Sequence, residues 1–296
     1  MKHLVLLFLA LLPCAGAASA QTPFNAPQTA AYHPKSPRVP PYVVFAGDTV
    51  RLERSDLYER MDRELMTFTY MHSTSTLMLK RSKRYFTQIE PILKENGVPD
   101  DLKYLMVIES NLDPAALSRA GAAGLWQFGK ATAQEYGLEV NADVDERYNI
   151  EKETVAACRF LKDAYRKFGD WMTVAASYNG GQGGILKKRA EQRQKSALDL
   201  LLVDETSRYM FRLLTAKLFF EDPGSFGFDV TEDEKYPYLP PKARATVDKP
   251  VENLVDFAEK YGISYAQLKR ANLWLRGTSL PNKSGKKYEI IIPSDE

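Results

Sequence analysis

Cysteine and histidine are both scarce in this sequence. The 296 residues contain two cysteines, and Cys14 lies in an N-terminal segment that we expect to be removed. Only Cys158 would then remain, which excludes an intrachain disulfide. The three histidines, His3, His33 and His72, are too widely separated to suggest a metal site. Stability must therefore come from packing, and neither a metal nor another cofactor is expected.

An excess of charge of one sign is also lacking. The 40 lysines and arginines oppose 38 aspartates and glutamates, which leaves a formal net charge of +2. Because nucleic-acid binding requires a large basic field, nucleic acid is not an expected partner. The sequence shows no phosphate-binding glycine loop and no nucleophilic Ser/His/Asp set. Its apolar content of 44% is enough for the cores of one large and one small domain.

Long hydrophobic runs are confined to the N-terminus. The apolar residues 4–12 follow Lys2 and His3 and precede small residues at 18–20. This pattern is typical of a secretory signal peptide, here residues 1–20, and the run is too short to span a bilayer. We expect export across the inner membrane to the periplasm or cell envelope, with peripheral envelope association left open. A lipoprotein anchored through Cys14 is the less favoured alternative, because Pro13 stands where a small residue is needed.

Composition divides the remaining chain into four segments. Residues 21–41 contain six prolines and few large apolar groups, as in an extended linker. From 55 to 220 the apolar residues recur with helical spacing, and no alternation of period two lasts long enough to indicate a sheet. We predict a helical domain over 42–222 and a second linker over 223–243. The last segment, 244–296, is predicted to be a small α+β domain, because its pattern is strand, helix, helix, strand. The fold class is therefore mainly α.

One carboxylate lies on an apolar helix face. Leu102, Leu105 and Met106 share a face of a helix predicted to begin at residue 100 or 101, and Glu109 falls on the same face. Burial disfavours the charged form of a carboxyl group and raises its pKa, which suits a general acid near neutral pH. The alternative is a last-turn glutamate that turns out to solvent, and periodicity alone does not decide between the two.

A small-residue segment follows this helix. The sequence at 111–114, Asn-Leu-Asp-Pro, ends the helix because proline cannot continue it. Gly121 and Gly124 then precede Trp126 and Gln127. Small residues let a backbone approach a ligand closely, and glutamine supplies both donors and acceptors. A purely structural turn with a core tryptophan would use the same residues.

Four motifs in order resemble one family. They are Glu-Ser at 109–110, Ser118, Gly-Leu-Trp-Gln-Phe at 124–128, and Ala-Ser-Tyr-Asn-Gly-Gly at 176–181. Together they resemble the soluble lytic transglycosylases, a family of lysozyme-like enzymes that cleave murein. The resemblance covers about residues 95 to 220 and implies a helical catalytic domain of the goose-type lysozyme fold. One departure is Gly129-Lys130, where the family often has an aliphatic residue and then proline.

The resemblance also implies roles for individual residues. Glu109 is expected to be the catalytic acid and base. Six residues are expected to line the substrate site: Ser118, Gln127, Tyr178, Asn179, Glu205 and Tyr209. Of these, Tyr178 is expected across from Glu109, where it would orient the acid or the substrate. The last two belong to the weakest match, the segment Asp-Glu-Thr-Ser-Arg-Tyr at 204–209.

The expected chemistry needs a single carboxylate. Most glycosidases use two acids that flank the scissile bond, whereas this sequence has one acid in a convincing position. The resemblance implies that Glu109 acts twice on peptidoglycan strands and forms a 1,6-anhydro sugar without water. A hydrolase of the same fold is the first alternative, with Asp113 or Asp145 holding a water. Both aspartates also have ordinary turn and capping explanations. A catalytically inactive glycan-binding protein is the second alternative.

The C-terminal segment resembles a LysM module. The matching residues are 251–274 and the closing run at 286–293, and modules of this kind bind glycans that contain N-acetylglucosamine. In this family a Gly-Asp-Thr/Ser turn usually precedes the first helix, whereas here residues 248–253 read Asp-Lys-Pro-Val-Glu-Asn. The resemblance therefore implies the fold more firmly than it implies glycan binding.

Overall fold

A computed structural model describes residues 35–294 of the chain. The predicted signal peptide and residues 21–34 of the predicted linker lie outside the described residues. The rest of that linker, 35–41, contains no helix or strand. Within 35–294, no helix is both long enough and apolar enough to cross a membrane.

The elements of the described residues are mostly helices, with two small sheets. The order along the chain is β1 Tyr42–Phe45, β2 Asp48–Arg51, α1 Ser55–Tyr70, α2 His72–Glu95, α3 Tyr104–Ser110, α4 Lys130–Glu135, α5 Ile150–Phe168, α6 Trp171–Gly180, α7 Gln182–Gln192, α8 Asp204–Glu221, β3 Ala243–Val247, α9 Leu254–Lys260, α10 Tyr265–Ala271 and β4 Tyr288–Ile292. The prediction of a mainly helical protein with a small α+β C-terminal part is confirmed.

An antiparallel hairpin precedes the helices and was not foreseen from the sequence. Strands β1 and β2 pair with Val43 opposite Val50. The turn between them places Ala46 and Gly47 at φ values of 52° and 91°, which is the geometry of a tight hairpin turn. The amide of Ala46 donates to the Asp101 carboxylate at 2.7 Å, so the hairpin is tied to the start of the helical domain. A four-residue strand carries too few alternating positions to be recognised by pattern alone.

Helix α8 is the centre of the helical core. It packs against α1, α3 and α6. Its buried positions include Met210, Phe211, Leu214 and Phe219, which are all inaccessible to solvent. The partners of α8 include the helix that carries Glu109, so the packing of the core also fixes the position of that carboxyl group.

One helix boundary differs from the sequence prediction. The predicted helix from residue 100 is divided into a 3-10 turn, Asp100–Lys103, and α3. Boundaries of this kind depend on tertiary contacts more than on periodicity.

The C-terminal part has its own apolar core. Strands β3 and β4 pair antiparallel with Ala245 opposite Ile290, α10 packs on β4, and α9 packs on α10. The core residues Leu254, Leu268 and Ile290 are fully buried. The predicted order of strand, helix, helix and strand is confirmed, and we refer to residues 243–294 as the C-terminal module. The predicted boundaries of the domains remain predictions.

A buried carboxylate joins α1 to α8. Glu64 has no solvent exposure. Its Oε1 accepts hydrogen bonds from Arg208 Nε at 2.7 Å and from Arg63 Nε at 3.2 Å. Arg212 Nε lies 3.5 Å from the other oxygen, Oε2. Three guanidinium groups thus neutralise one buried charge, and the cluster holds the N-terminal half of α8 against α1.

We expect Glu64→Ala to lower the free energy of unfolding by about 2–4 kcal/mol, because the guanidinium groups lose their buried counter-charge. Urea unfolding at neutral pH measures the change. Glu59→Ala, an exposed position on the same helix, is the control and should change stability by less than about 0.5 kcal/mol. Equal effects of the two substitutions would contradict a special role for the Glu64 cluster.

Candidate active site

Glu109 lies on the last turn of α3. The residues that share its face, Leu102, Leu105 and Met106, are fully buried, and Glu109 itself is half-buried. The buried face predicted from the sequence is therefore present. The carboxyl group is largely removed from water without being sealed in the core, which is the environment that a proton donor to an external substrate requires.

One side chain hydrogen-bonds to the Glu109 carboxyl group. The hydroxyl of Tyr209 on α8 donates to Glu109 Oε1 at 2.7 Å. Burial raises the pKa of Glu109 to about 7. The hydrogen bond from Tyr209 and the charge of Arg212 lower this pKa, and the negative charge of Glu205 raises it. Near neutral pH the group is therefore part protonated and part ionised, so it can either give or take a proton.

The backbone around the carboxyl group is unusual. Within residues 35–294, six residues other than glycine have a positive φ, and three of them belong to this region: Asn111 at 52°, Leu112 at 57° and Gln127 at 51°. Left-handed conformations cost side-chain-bearing residues about 1–2 kcal/mol each. Conformations of this kind cluster at functional sites, where the surrounding structure holds them. The cluster marks residues 111–128, which we call the substrate loop.

The polar side chains of the substrate loop close it on itself. The side-chain amide nitrogen of Gln127, Nε2, donates to the carbonyl oxygens of Gly124 at 2.8 Å and Ala116 at 3.2 Å. Ser118 is exposed, and its Oγ accepts a hydrogen bond from the amide of Ala122. Both residues therefore shape the loop. The side-chain carbonyl oxygen of Gln127, Oε1, accepts no hydrogen bond from the described residues.

Tyr178 and Asn179 both lie on α6, and Tyr178 contacts the loop. The Tyr178 hydroxyl donates to the carbonyl oxygen of Trp126 at 2.6 Å, so it supports the loop and does not hydrogen-bond to Glu109. Burial and the negative charges of Glu109 and Glu153 raise the pKa of Tyr178 well above its usual value. Asn179 Oδ1 accepts a hydrogen bond from Thr206 at 2.8 Å. The direct partner of Glu109 is therefore Tyr209, which had the weakest sequence match.

Glu205 lies on the first turn of α8 and is exposed. Its carboxylate is close enough to Glu109 to raise the pKa of that group. Glu205 and Tyr209 are one helical turn apart on α8, which places both towards α3. The structure thus brings Glu109, Glu205, Tyr209 and Tyr178 into one electrostatically coupled group.

A second buried acid, Glu153, was missed in the sequence. It is fully buried on α5, and its carboxyl oxygens accept the amides of Leu125 at 3.2 Å and Trp126 at 3.3 Å. Burial raises its pKa well above the usual value. The signal was available, because Glu153 shares an apolar helix face with Ala157 and Leu161. Because the Glu153 carboxyl oxygens accept hydrogen bonds from two amides of the substrate loop, this residue anchors the loop.

The two aspartates considered as bases for hydrolysis have structural partners. The Asp145 carboxylate accepts hydrogen bonds from Arg147 Nε at 2.9 Å and from Arg147 Nη2 at 2.8 Å. Both residues are buried. Asp113 Oδ1 accepts the amide of Ala115 at 3.0 Å, which is a turn contact. Neither carboxylate has the environment of a free general base. This agrees with the capping and turn explanations considered for them above.

A cavity of about 580 Å³ lies elsewhere, between α2, α10 and residues 237–241. It contains none of the predicted site residues. Its one acid, Glu151, is paired with Arg244. Within residues 35–294, no group of three or more His, Cys, Asp or Glu side chains is arranged to hold a metal ion.

With this geometry in view, comparison with known families gives two matches. Residues 86–200 match the Transglycosylase SLT domain, and residues 243–296 match the soluble lytic transglycosylase C-terminal LysM-like domain. The first contains Glu109, the substrate loop and α6, and the second coincides with the C-terminal module. Over these two stretches the chain therefore resembles the soluble lytic transglycosylases that carry a C-terminal LysM-like domain.

Individual relatives and one solved structure are similar to parts of the chain. The chain is 30% identical to membrane-bound lytic murein transglycosylase D of Escherichia coli over 84% of its own length and 55% of the relative. It thus spans about half the length of that protein. Peptidoglycan transglycosylase gp16 of Escherichia phage T7 is 37% identical over 40% of this chain and 9% of its own. A solved structure of an inactive mutant of lytic transglycosylase Slt from Pseudomonas aeruginosa covers 51% of this chain and 26% of that one, with 20% identity and a TM-score of 0.39.

Gly124 is the tightest point of the substrate loop. It has a φ of 82°, and a Cβ there would lie 1.8 Å from the Arg147 carbonyl oxygen and 2.4 Å from Glu153 Oε2. We expect Gly124→Ala to destabilise the fold by about 3 kcal/mol or more, from strain and overpacking together. Urea unfolding and yield of soluble protein measure the effect.

Two other glycines separate the causes. Gly121 has a φ of 81° but open space around its Cβ position, and Gly129 has open space and an ordinary φ. Gly121→Ala should therefore cost about 1–2 kcal/mol, and Gly129→Ala should cost less, about 0.5–1 kcal/mol, because Gly129 is the N-cap of α4 and alanine is a poorer N-cap than glycine. If all three variants are equally stable, the close approach at Gly124 has no energetic importance.

Proposed function

We propose that this protein is a lytic transglycosylase that cleaves the β-1,4 bond between N-acetylmuramic acid and N-acetylglucosamine in peptidoglycan. The observation that carries the proposal is the Glu109 carboxyl group, half-buried, with a pKa raised to about 7 and one protein donor on one oxygen. The second oxygen, Oε2, has no hydrogen-bond partner among the described residues. It is therefore the atom that gives and takes the proton.

In the first step, protonated Glu109 donates its proton to the oxygen that links the two sugars. The bond between that oxygen and C1 of N-acetylmuramic acid breaks, and N-acetylglucosamine leaves with a free 4-hydroxyl. Positive charge develops at C1, and the substrate's own N-acetyl group can stabilise it from within. This would replace the second protein carboxylate of ordinary glycosidases.

In the second step, the ionised Glu109 takes the proton of the muramic acid 6-hydroxyl while O6 attacks C1. A 1,6-anhydro ring forms, Glu109 regains its proton, and no water is consumed. The attack is intramolecular, so the nucleophile is already close to C1 and the entropic cost is small. A pKa of about 7 suits both steps, because one group must be an acid first and a base afterwards.

The other site residues have supporting roles in this proposal. Tyr209 holds the Glu109 carboxyl in one orientation and stabilises its ionised form through the hydrogen bond to Oε1. Gln127 and Ser118 shape the loop that faces the sugar, and the free Gln127 carbonyl oxygen can accept a hydrogen bond from the glycan. Tyr178 supports that loop through Trp126. Asn179 and Glu205 lie at the edge of the site on α6 and α8.

We also propose that the protein acts in the cell envelope. The N-terminal sequence is typical of a signal for export to the periplasm. The Escherichia coli relative is named as a membrane-bound murein transglycosylase. Peptidoglycan strands would be the partner of both the SLT domain and the LysM-like module. Peripheral association with the envelope is compatible with this location.

Glu109→Gln tests the catalytic assignment. The substitution keeps the size of the side chain and removes the proton, so we expect release of anhydro-muropeptides from purified sacculi to fall by about 10²- to 10⁴-fold. Mass spectrometry of the products measures it. Muropeptides with a reducing-end muramic acid, heavier by one water, would instead identify a hydrolase. Binding without turnover by the wild type would identify an inactive glycan-binding protein.

The same variant should remain folded. Because the folded-state pKa of Glu109 is raised, its ionisation destabilises the native state as pH rises from about 4.5 to 7. Replacement by glutamine removes this penalty. The free energy of unfolding should therefore exceed that of the wild type at pH 8 by about 1–3 kcal/mol, with a smaller difference at pH 4. A large loss of stability at pH 8 would show that the Glu109 carboxylate is a structural requirement.

Two variants should move the pH profile in opposite directions. Tyr209→Phe removes the hydrogen bond that lowers the pKa of Glu109, so the alkaline fall of kcat/KM should shift to higher pH. Glu205→Gln removes the negative charge that raises the same pKa, so the fall should shift to lower pH. Rates of anhydro-product formation between pH 5 and pH 9 measure both shifts. Unshifted profiles in both variants would assign the alkaline limb to a group other than Glu109.

A further inference from the structure

Backbone hydrogen bonds join the C-terminal module to residues 139–145. We call these residues the docking segment. Val144 forms a β-bridge with Leu275. The amide of Asp145 donates to the carbonyl oxygen of Trp274 at 2.9 Å, and the amide of Arg276 donates to the carbonyl oxygen of Asp143 at 2.9 Å. Backbone hydrogen bonds of this kind fix the register of the two segments and do not depend on side-chain rotamers.

Side chains strengthen the same junction at the other end of the docking segment. Glu139 Oε2 accepts hydrogen bonds from Lys286 Nζ at 3.0 Å and from the Tyr288 hydroxyl at 2.9 Å. Tyr288 is almost fully buried and belongs to the apolar core of the module, where it stacks on Trp274. The docking segment is therefore fastened to the core of the module and not only to its surface.

The docking segment continues directly into a buried ion pair. Asp145, whose amide is held by the module, binds the Arg147 guanidinium with both carboxylate oxygens at 2.9 and 2.8 Å. Arg147 Nη1 then donates to the carbonyl oxygens of Gly121 at 2.7 Å and Phe128 at 3.0 Å. These carbonyl groups belong to the substrate loop, on both sides of Gln127.

The main chain of Arg147 supports the loop as well. Its carbonyl oxygen lies against Gly124, where a Cβ would be only 1.8 Å away. A buried guanidinium is stable only while its donors are satisfied, and the fork of Arg147 is matched to one position of Asp145. A shift of Asp145 would therefore change how Arg147 holds the loop. The contacts form a continuous path from the module to Gln127.

We propose that Arg147 is a positioning residue for glycan cleavage, and that the C-terminal module acts as a structural brace that sets Arg147 and the substrate loop through Asp145. The inference rests on the proposed function for the meaning of the loop, but its physical content is the rigidity of residues 121–128. In this arrangement the module contributes to cleavage through its contact with the SLT domain, whether or not it also binds glycan.

The test compares three variants of the full chain with the wild type. Asp145→Asn keeps the shape of the side chain and removes the charge that orients Arg147. Glu139→Ala removes the side-chain junction with the module and leaves Asp145 and Arg147 unchanged. Lys283→Ala is the control. This exposed lysine lies at the same junction, but its ion pair with Asp143 is long, at 3.9 Å between Nζ and Oδ2.

Backbone hydrogen exchange at Ala123 and Phe128 is the primary measurement. These amides are bonded to each other's carbonyl groups across the loop. In Asp145→Asn and Glu139→Ala their exchange should accelerate by about five- to tenfold, which corresponds to a loss of about one hydrogen bond. Exchange in Lys283→Ala should equal that of the wild type. In the kinetics of anhydro-product formation, KM should rise about fivefold while kcat changes less than about twofold, because loop position affects sugar binding more than the proton of Glu109.

The outcomes separate the brace from the proposed activity. If Glu139→Ala accelerates exchange at Ile290 in the module but leaves Ala123 and Phe128 unchanged, the module is docked without bracing the loop and the inference is wrong. If the wild type forms no anhydro product, the proposed function fails, while the exchange result still decides whether the brace exists. Should Glu139→Ala fail to fold, Glu139→Gln weakens the pair with Lys286 at constant size and is subject to the same criteria.

Discussion

The site depends on the position of one carboxyl group, which is removed from most water and receives one hydrogen bond from the residues that the structure describes. Helix α3 brings Glu109 to the surface of the core at its last turn, and α8 supplies the Tyr209 hydroxyl. If more donors bound the carboxylate, its charged form would be stabilised and its pKa would fall. If the group were fully exposed, its pKa would not be raised by burial. The packing of α3 on α8 therefore sets both the position and the proton affinity of the proposed acid.

Three glutamates lie on buried helix faces, and their partners distinguish their roles. Glu64 faces three guanidinium groups and serves as a structural charge between helices. Glu153 accepts two backbone amides and anchors the substrate loop. Glu109 accepts one hydrogen bond, from a tyrosine hydroxyl, and its other oxygen has no partner within residues 35–294. Only the last arrangement leaves a proton available to an external molecule, so the proposed transglycosylation needs no second carboxylate.

The substrate loop is held from several directions at once. Glu153 binds its amides, Tyr178 donates to the Trp126 carbonyl, and Arg147 donates to two further carbonyl groups. This density of contacts explains how the loop can keep Gln127 in a left-handed conformation. It also gives the C-terminal module, through Asp145, a physical connection to the site that is independent of glycan binding.

The sequence alone determined the helical class, the α+β order of the C-terminal module and the burial of the face that carries Glu109, because these follow from the spacing of apolar residues within one element. Its motifs predicted which segments form the proposed site. The hairpin at 42–51 and the division of residues 100–110 into a 3-10 turn and α3 were beyond it, because short strands and helix ends depend on neighbours in space. Tertiary structure alone decided that Tyr209, and not Tyr178, bonds to Glu109, and that Asp145 serves Arg147. Such pairings join residues far apart in the chain, and no local pattern encodes which donor reaches which acceptor.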